Sequence, residues 1–177
     1  FFSNLLRKGD PHMKRSLFIF GYLADSDVEW LASVAVRETH LPGKPMITQG
    51  KTSERLMILT DGSAVVETNG RRVATVSSGD VLGEVSLFDS RPPSATVTPL
   101  ESVAALAIPF DTLRARLHAD PEFASRLYYS LGALLSQRLR ETLGAEITDA
   151  DEIDPDVMEQ VALAGRRLEL LYERAGR

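Results

Sequence analysis

The spacing of apolar residues changes twice along the chain and divides it into helical and β-rich stretches. Between Asp25 and Val36 the apolar residues recur at helical spacing, which predicts a helix capped by Asp25 or Ser26. After Leu41 this spacing gives way to short runs separated by turn residues, namely KPMITQG, RLMILTDG, SAVVETNG, RRVATVSSGD, SATVTPL and SVAALAIPF. Runs of this length with no helix between them predict an antiparallel sandwich or barrel.

Two dipeptides in the β-rich stretch are typical of hairpin turns. Asp61-Gly62 and Asn69-Gly70 combine residues that accept the positive φ angle of a tight turn. Gly50 and Gly79 also stand where one run ends and another begins. We therefore expect a hairpin at each dipeptide and tight turns at the other two glycines.

Helical spacing returns at Phe110. A short helix is expected to end before Pro121, and a long helix to run from there to Gly144, because proline near the start and glycine at the end are favoured. The long helix carries a broad apolar stripe, comprising Phe123, Leu127, Leu131, Leu134, Leu135 and Leu139. Such a stripe is not left in water, so it predicts packing on the β-rich region, on a second copy, or on both.

The two ends of the chain differ in character from this middle part. Residues 1–12 are interpreted as a tag remnant or a native leader, because His12-Met13 is typical of a cloning junction. Residues 13–144 are expected to form one domain, and residues 145–155 an acidic linker. Residues 156–177 are expected to hold an amphipathic helix, over 156–175, and to dock on their own domain, on a dimer partner or on another protein.

Composition excludes several classes of function. The chain has 177 residues, 44% of them hydrophobic, a net charge of −5 and no cysteine. The three histidines are scattered, and no catalytic triad, metal-ligand spacing or glycine-rich phosphate loop is present, so we expect neither a metal site nor an enzyme. The acidic charge disfavours nucleic acid, no apolar run predicts a membrane span, and the lack of cysteine fits the cytoplasm.

One stretch, VLGEVSLFDSRPPSATV at residues 81–97, resembles the phosphate-binding cassette of the cyclic-nucleotide-binding domain family. That cassette reads Gly-Glu, an aliphatic, a small residue and an aliphatic, then Pro-Arg and two small residues. The resemblance covers roughly residues 20–144, and the chain also looks similar to free-standing bacterial members without a helix-turn-helix. It implies an α+β fold, an antiparallel β-roll of the jelly-roll type flanked by an N-terminal helix, a short helix, a long helix and an extra C-terminal helix.

The resemblance also implies a ligand, cyclic AMP or cyclic GMP, and the residues that would contact it. Unpaired N–H groups at the start of a short helix over GEVSLFD can bind a cyclic phosphate, and glycine allows close approach. An acidic residue can accept a hydrogen bond from the ribose, and a serine hydroxyl and the following N–H can donate to phosphate. The predicted contacts are Leu82, Gly83, Glu84, Val85, Arg91, Ser94 and Ala95.

The resemblance further implies that the long helix supplies a polar residue near the base of the nucleotide. Thr142 takes that place when the long helices are aligned on their Arg-Leu pairs, and a shift of one turn would substitute Arg138. Tyr128 and Tyr129 are alternatives that could stack on a base, although the position of Tyr128 on the apolar stripe predicts a core residue.

The departure from the family pattern is at Pro93, which stands where the family has arginine. A guanidinium binds phosphate through two charge-assisted hydrogen bonds, whereas proline offers no donor. Losing such a contact costs about 1.5–3 kcal/mol, or about ten- to a hundred-fold in affinity. Arg91 is the nearest substitute, and its alternative role is a solvated loop residue.

Two functions from different classes follow. The chain is either a regulatory sensor that binds a cyclic nucleotide or another small anion, or a scaffold of the same fold that dimerises or docks without a ligand. The intact Gly83-Glu84 pair favours the first and Pro93 the second. A homodimer through the helix over residues 121–143 is expected in both. Only 33 residues follow Gly144, and they begin acidic, so a DNA-binding domain is not expected.

Overall fold

The fold joins antiparallel β-structure to helices, as the α+β prediction requires. The structure is a computed structural model that describes residues 20–142 together with Arg166, Arg167 and Arg174. The elements follow in the order α1 (Asp25–Val34), β1 (Val36–His40), β2 (Arg55–Asp61), β3 (Ser63–Thr68), β4 (Arg71–Ser77), β5 (Val81–Leu82), α2 (Glu84–Asp89), β6 (Thr96–Pro99), β7 (Val103–Pro109), α3 (Phe110–Ala119) and α4 (Pro121–Thr142).

The strands form two antiparallel sheets with the orders β1-β7-β2-β5 and β4-β3-β6. Strands β2 and β7, for example, pair without interruption from Leu56 opposite Ile108 to Leu59 opposite Ala105. Both sheets contribute to one cluster of buried apolar side chains, which includes Met57, Leu59, Ala64, Val76, Leu82, Val97 and Ala105. This arrangement is the expected β-roll, and the apolar burial stabilises it.

Two details of the β-rich stretch were predicted wrongly. The first helix ends at Val34 rather than Val36, and Val36–His40 forms the edge strand β1, where the charged Arg37 and Glu38 obscured the strand pattern. The Asp61-Gly62 turn has the expected positive φ, 79° at the glycine, but it is not a hairpin because β2 and β3 lie in different sheets. The Asn69-Gly70 turn does join a hairpin, β3 with β4.

The described chain divides into a β-rich unit, residues 33–115, and a helical unit, which comprises residues 20–32, 116–142, Arg166, Arg167 and Arg174. In the helical unit, the Asp27 side chain is 1% exposed and accepts hydrogen bonds from the Ala24 N–H at 2.8 Å and from Arg126 Nε at 2.6 Å. The Asp27 carboxylate, and not Asp25 or Ser26 as the sequence predicted, therefore caps the start of α1, and it also links α1 to α4. This ion pair also raises the pKa of Arg126.

The long helix α4 begins as predicted, with Pro121 in its first turn. Asp120 caps it by accepting the Phe123 N–H at 3.0 Å, and this bond, aided by Arg116, lowers the pKa of the Asp120 carboxyl. Four residues of the predicted stripe are buried, namely Phe123, Leu127, Leu131 and Leu134. Leu139 is 60% exposed, and Tyr128, predicted as a core residue, is 44% exposed.

Candidate functional site

The cassette begins with a tight turn at Gly83. Its φ is +88°, a conformation that residues with a side chain adopt only with strain. A Cβ atom added there would lie 2.5 Å from the carbonyl oxygen of Arg55 in β2. The sequence suggested that this glycine lets the backbone approach a ligand, but the close neighbour is the chain itself. Packing alone therefore requires glycine at this position.

The short helix α2 follows this turn, as the sequence predicted. It alternates between two environments. Glu84 and Ser86 are each 5% exposed and Leu87 is 6% exposed, whereas Val85 is 46% and Phe88 44% exposed. Before the turn, Leu82 is buried in β5 and pairs with Met57. Of the predicted contacts in this part, Val85 therefore faces solvent while Leu82 and Glu84 lie inside the unit, where Glu84 already makes an interaction within the protein.

The loop that returns from α2 to β6 is held by its backbone. Ser90 ends the helix in the left-handed conformation with φ 56°, and the Arg91 N–H donates to Asp89 Oδ1 at 2.9 Å. The carbonyl oxygen of Pro93 accepts the Gly50 N–H at 2.9 Å, and that of Ser94 accepts the Thr68 hydroxyl at 3.4 Å. These bonds fix the course of the loop independently of a ligand.

The side chains of this loop, unlike its hydrogen-bonded backbone, are exposed or only half-buried. Arg91 and Ser94 are exposed, and Pro93 and Ala95 are half-buried. The exposed Arg91 side chain fits both interpretations given above, a solvated loop residue and a substitute for the missing arginine. The predicted contacts from Leu82 to Ala95 thus lie on one continuous segment within the β-rich unit.

Gln49 is a residue of this region that sequence reasoning missed. Its side-chain amide donates to Asn69 Oδ1 and accepts the Asn69 N–H, both at 2.9 Å, while its backbone N–H donates to Thr96 Oγ1 at 3.0 Å. It joins the β3–β4 hairpin tip to the strand that follows the cassette. The Asn69-Gly70 turn was visible in the sequence, but nothing there indicated Gln49 as its partner.

Arg114 of α3 is a second residue that the sequence did not indicate. Its Nη2 donates to the Ser90 hydroxyl at 3.2 Å, and its guanidinium lies 5.3 Å from the centre of the Phe110 ring. A cation is therefore anchored at the end of α2 by a hydrogen bond and by an aromatic ring. The cassette pattern of the family does not include Arg114, so nothing in the sequence indicated this residue.

Thr142 belongs to the helical unit rather than to the β-rich unit. It is exposed, and its hydroxyl donates to the carbonyl oxygen of Arg138, one turn earlier in α4, at 2.8 Å. Its contact with a base stays a prediction. The predicted helix over 156–175, the linker over 145–155 and the leader over 1–12 lie outside the described residues, apart from the three arginines.

In the part of the chain that the structure describes, no group of three or more His, Cys, Asp or Glu side chains is placed to hold a metal ion. Within that part, too, no helix has the length and apolar character needed to cross a bilayer. His40 Nε2 lies 3.1 Å from Glu38 Oε2, and Glu38 also forms an ion pair with Arg55.

Comparison with known proteins gives a consistent picture. A family model described as the cyclic nucleotide-binding domain matches residues 37–120. The chain is 30% identical to the cyclic AMP receptor protein of Thermus thermophilus over 139 residues, which is 76% of this chain and 59% of that protein. It is 31% identical to a cGMP-dependent protein kinase of Toxoplasma gondii over 93 residues, which is 52% of this chain and 9% of the kinase.

A solved structure adds to this similarity. The N-terminal domain of a transcriptional regulator from Streptomyces coelicolor is 30% identical, with a TM-score of 0.58, and the match covers 80% of this chain and 99% of that domain. The chain spans less than two thirds of the receptor protein and about a tenth of the kinase. The similarity thus concerns one domain, which the relatives combine with other parts.

Proposed function

The chain belongs to the cyclic nucleotide-binding domain family, and we propose that it is a non-catalytic regulatory module of that family with a degenerate phosphate-binding cassette. The proposed ligand is a small anion with a cyclic phosphate, cyclic AMP or cyclic GMP. Two of the relatives whose names include these nucleotides are a receptor and a kinase, and the ligand class is carried over from such relatives as part of the proposal.

The observation that carries this proposal is the folded cassette. The turn at Gly83, the helix Glu84–Asp89 and the returning strand Thr96–Pro99 follow one another within the matched residues. Glu84 is proposed to accept a hydrogen bond from the ribose, and Ser94 and Ala95 to donate to the phosphate. The exposed side chain of Ser94 supports this role, because its hydroxyl is accessible from solvent.

Pro93 sets the expected strength of binding. Neither its ring nor its nitrogen can donate a hydrogen bond, and its carbonyl oxygen is already bonded to Gly50. A phosphate at this loop would therefore lack the bidentate contact that an arginine makes. We expect binding about ten- to a hundred-fold weaker than that of an otherwise equal site with arginine.

The direct test is titration calorimetry of the protein with cyclic AMP and cyclic GMP, with 5′-AMP as the control. The linear nucleotide keeps the base and ribose but lacks the cyclic phosphate, so it distinguishes recognition of the cassette from stacking of the base. We expect weak binding of one cyclic nucleotide and weaker or no binding of 5′-AMP. No binding of either cyclic nucleotide at millimolar concentration would favour the second candidate function.

That second candidate is a scaffold that assembles without a ligand. It is favoured by Pro93 and by the exposed face of α4, where Tyr129 is 62% and Leu139 60% exposed. Exposed apolar side chains of this size are suited to a symmetric contact with a second copy. We propose a homodimer through the helix over residues 121–143 for both candidates.

Leu139→Glu tests the homodimer, because the side chain is exposed and its replacement leaves the buried core of α4 unchanged. We expect light scattering to give a dimer for the unsubstituted chain and a monomer for the variant. The exposed Ser136→Glu, three residues earlier in the helix, adds the same single charge and is the control for charge alone. A chain that is monomeric without substitution would contradict the proposal.

A further inference from the structure

Two consecutive backbone N–H groups hold the cassette loop on both sides of residues 94–95. The Gly50 N–H donates to the Pro93 carbonyl oxygen at 2.9 Å, and the Gln49 N–H donates to Thr96 Oγ1 at 3.0 Å. The two residues between these bonds are those proposed to donate to the phosphate. The short segment before β2 therefore lies beside the part of the cassette whose course matters most for that contact.

The side chain of Gln49 binds a different part of the β-rich unit, the tip of the β3–β4 hairpin. Its Oε1 accepts the Asn69 N–H and its Nε2 donates to Asn69 Oδ1, both at 2.9 Å. Because a backbone N–H can only donate, it fixes which atom of the Gln49 amide lies opposite it, and the second bond follows from the shape of the amide. Gln49 thus joins the cassette loop, through its backbone, to the hairpin tip, through its side chain.

The direct contact between the hairpin tip and the loop is weaker than the one through Gln49. Strand pairing between β3 and β6 ends at Glu67 opposite Thr96, so it does not reach the tip. Beyond this pair the Thr68 hydroxyl donates to the Ser94 carbonyl oxygen at 3.4 Å, which is long for an O–H···O hydrogen bond. The two bonds of the Gln49 amide are shorter, at 2.9 Å. We therefore expect Gln49 to dominate the coupling of the tip to the loop.

We propose that Gln49 is a positioning residue of the cassette, which uses the hairpin tip to set the course of residues 93–96. Residues 94–95 then hold their donors in place before the phosphate arrives. This last step rests on the proposed function, whereas the hydrogen bonds that set the course of the loop lie within the protein. A set of donors that is arranged in advance binds more tightly, because the ligand does not have to order it.

The first measurement is calorimetry with cyclic AMP and cyclic GMP on Pro93→Arg protein, in which a loss of affinity is easiest to detect. Adding Gln49→Ala removes both side-chain bonds and should weaken binding by about ten-fold. Adding Asn69→Gly removes only the bond to Nε2, because glycine keeps the N–H and accepts the φ of 51°, so a loss of about three-fold is expected. Protein with both substitutions should bind no more weakly than Gln49→Ala does, since they act through one contact.

Ser63→Ala is the matched control for these variants. It removes the hydrogen bond of 2.7 Å from Ser63 Oγ to Glu101 Oε1, at the opposite end of β3 from the hairpin tip. The same strand therefore loses a side-chain bond while the loop is left untouched, and the affinity should not change. Asn69→Asp is the conservative variant, because its carboxylate still accepts a hydrogen bond from the Gln49 amide and aspartate tolerates the same φ.

Hydrogen exchange of the Gly50 amide tests the same inference without a nucleotide. This N–H donates to the Pro93 carbonyl oxygen, so its exchange rate measures how firmly the loop is held. In protein that keeps Pro93, Gln49→Ala should speed this exchange by about ten-fold, because the loop loses its tie to the hairpin tip. Ser63→Ala and the conservative Asn69→Asp should leave the rate unchanged.

Failure of this inference and failure of the proposed function give different results. If even Pro93→Arg protein binds neither cyclic nucleotide, the proposed function fails, and the exchange rate of Gly50 alone decides the role of Gln49. If Gln49→Ala does not fold, as judged by circular dichroism, Asn69→Gly replaces it in both measurements, with a change of about three-fold expected. Exchange no faster than in Ser63→Ala, or unchanged affinity of a Pro93→Arg protein that binds, would overturn the inference.

Discussion

The two halves of the cassette differ in how strongly the fold constrains them. The first half, residues 82–89, places most of its side chains in the interior, and its entry glycine leaves no room for a Cβ atom beside Arg55. The second half, residues 90–95, keeps Arg91 and Ser94 at the surface and is fixed through backbone carbonyls, such as that of Pro93. One half is held by packing and the other by hydrogen bonds of its main chain.

This difference affects how much each residue that matches or departs from the family pattern indicates about ligand binding. The positive φ and the nearby Arg55 carbonyl already favour glycine at position 83, so its presence carries little information about a ligand. In the second half the Pro93 carbonyl oxygen could accept the Gly50 N–H with another residue at this position, so this hydrogen bond does not by itself require proline. The departure at Pro93 is therefore more informative about function than the agreement at Gly83.

The largest effect is expected from Gly83→Ala. The substitution combines a positive φ with a Cβ that overlaps the Arg55 carbonyl, and should lower the free energy of unfolding by about 2–4 kcal/mol. The control is Gly43→Ala, which has φ +74° and no atom within 4 Å of the added Cβ, and should cost about 1–2 kcal/mol. Urea denaturation measures both. Equal costs would show that packing does not constrain the first half.

Glu84→Gln should have the next largest effect. The carboxylate is 5% exposed and makes an interaction within the protein, so its loss should cost about 1–3 kcal/mol of unfolding free energy. The exposed Glu54→Gln is the control and should stay within about 0.5 kcal/mol. Unchanged stability of Glu84→Gln, together with loss of nucleotide binding, would mean that Glu84 is kept for the ligand and not for the fold.

Pro93→Arg should change affinity more than stability. Replacing proline widens the conformational freedom of the unfolded chain and should cost about 0.4–1 kcal/mol. The new guanidinium should strengthen cyclic-nucleotide binding by about ten-fold or more in calorimetry. Pro92→Arg puts the same charge one residue away and should give no such gain. If both variants bind the cyclic nucleotide equally tightly, the gain in affinity comes from the added positive charge and not from a bidentate contact of the guanidinium at position 93.

Arg91→Ala should have the smallest effect on stability, within about 0.5 kcal/mol, because its side chain is exposed. If Arg91 replaces the missing arginine, the variant should bind the cyclic nucleotide about ten-fold or more weakly, because it loses one charge-assisted bond. Arg71→Ala, at the exposed tip of a hairpin, is the matched control. Unchanged affinity in both would assign Arg91 to the solvated surface.

Much of the candidate site could be read from the sequence because its signals are local. The turn at Gly83, the helical turn after it and the position of Pro93 depend on neighbouring residues and on a family pattern of fixed spacing. Gln49 and Arg114 could not be found in this way, because their partners Asn69 and Ser90 are 20 and 24 residues away. Such pairs exist only after the strands have brought them together.

The sequence by itself determined the α+β class, the hairpin at Asn69-Gly70 and the start of α4 at Pro121, because spacing, turn chemistry and capping act over a few residues. It did not determine that the chain changes sheets at Gly62, that VRETH forms an edge strand, or that Tyr128 faces solvent. Tertiary structure alone decided these features, and it also decided that Asp27 meets Arg126 and that Arg167 meets Asp25. Each depends on contacts between distant segments, for which local propensity carries no signal.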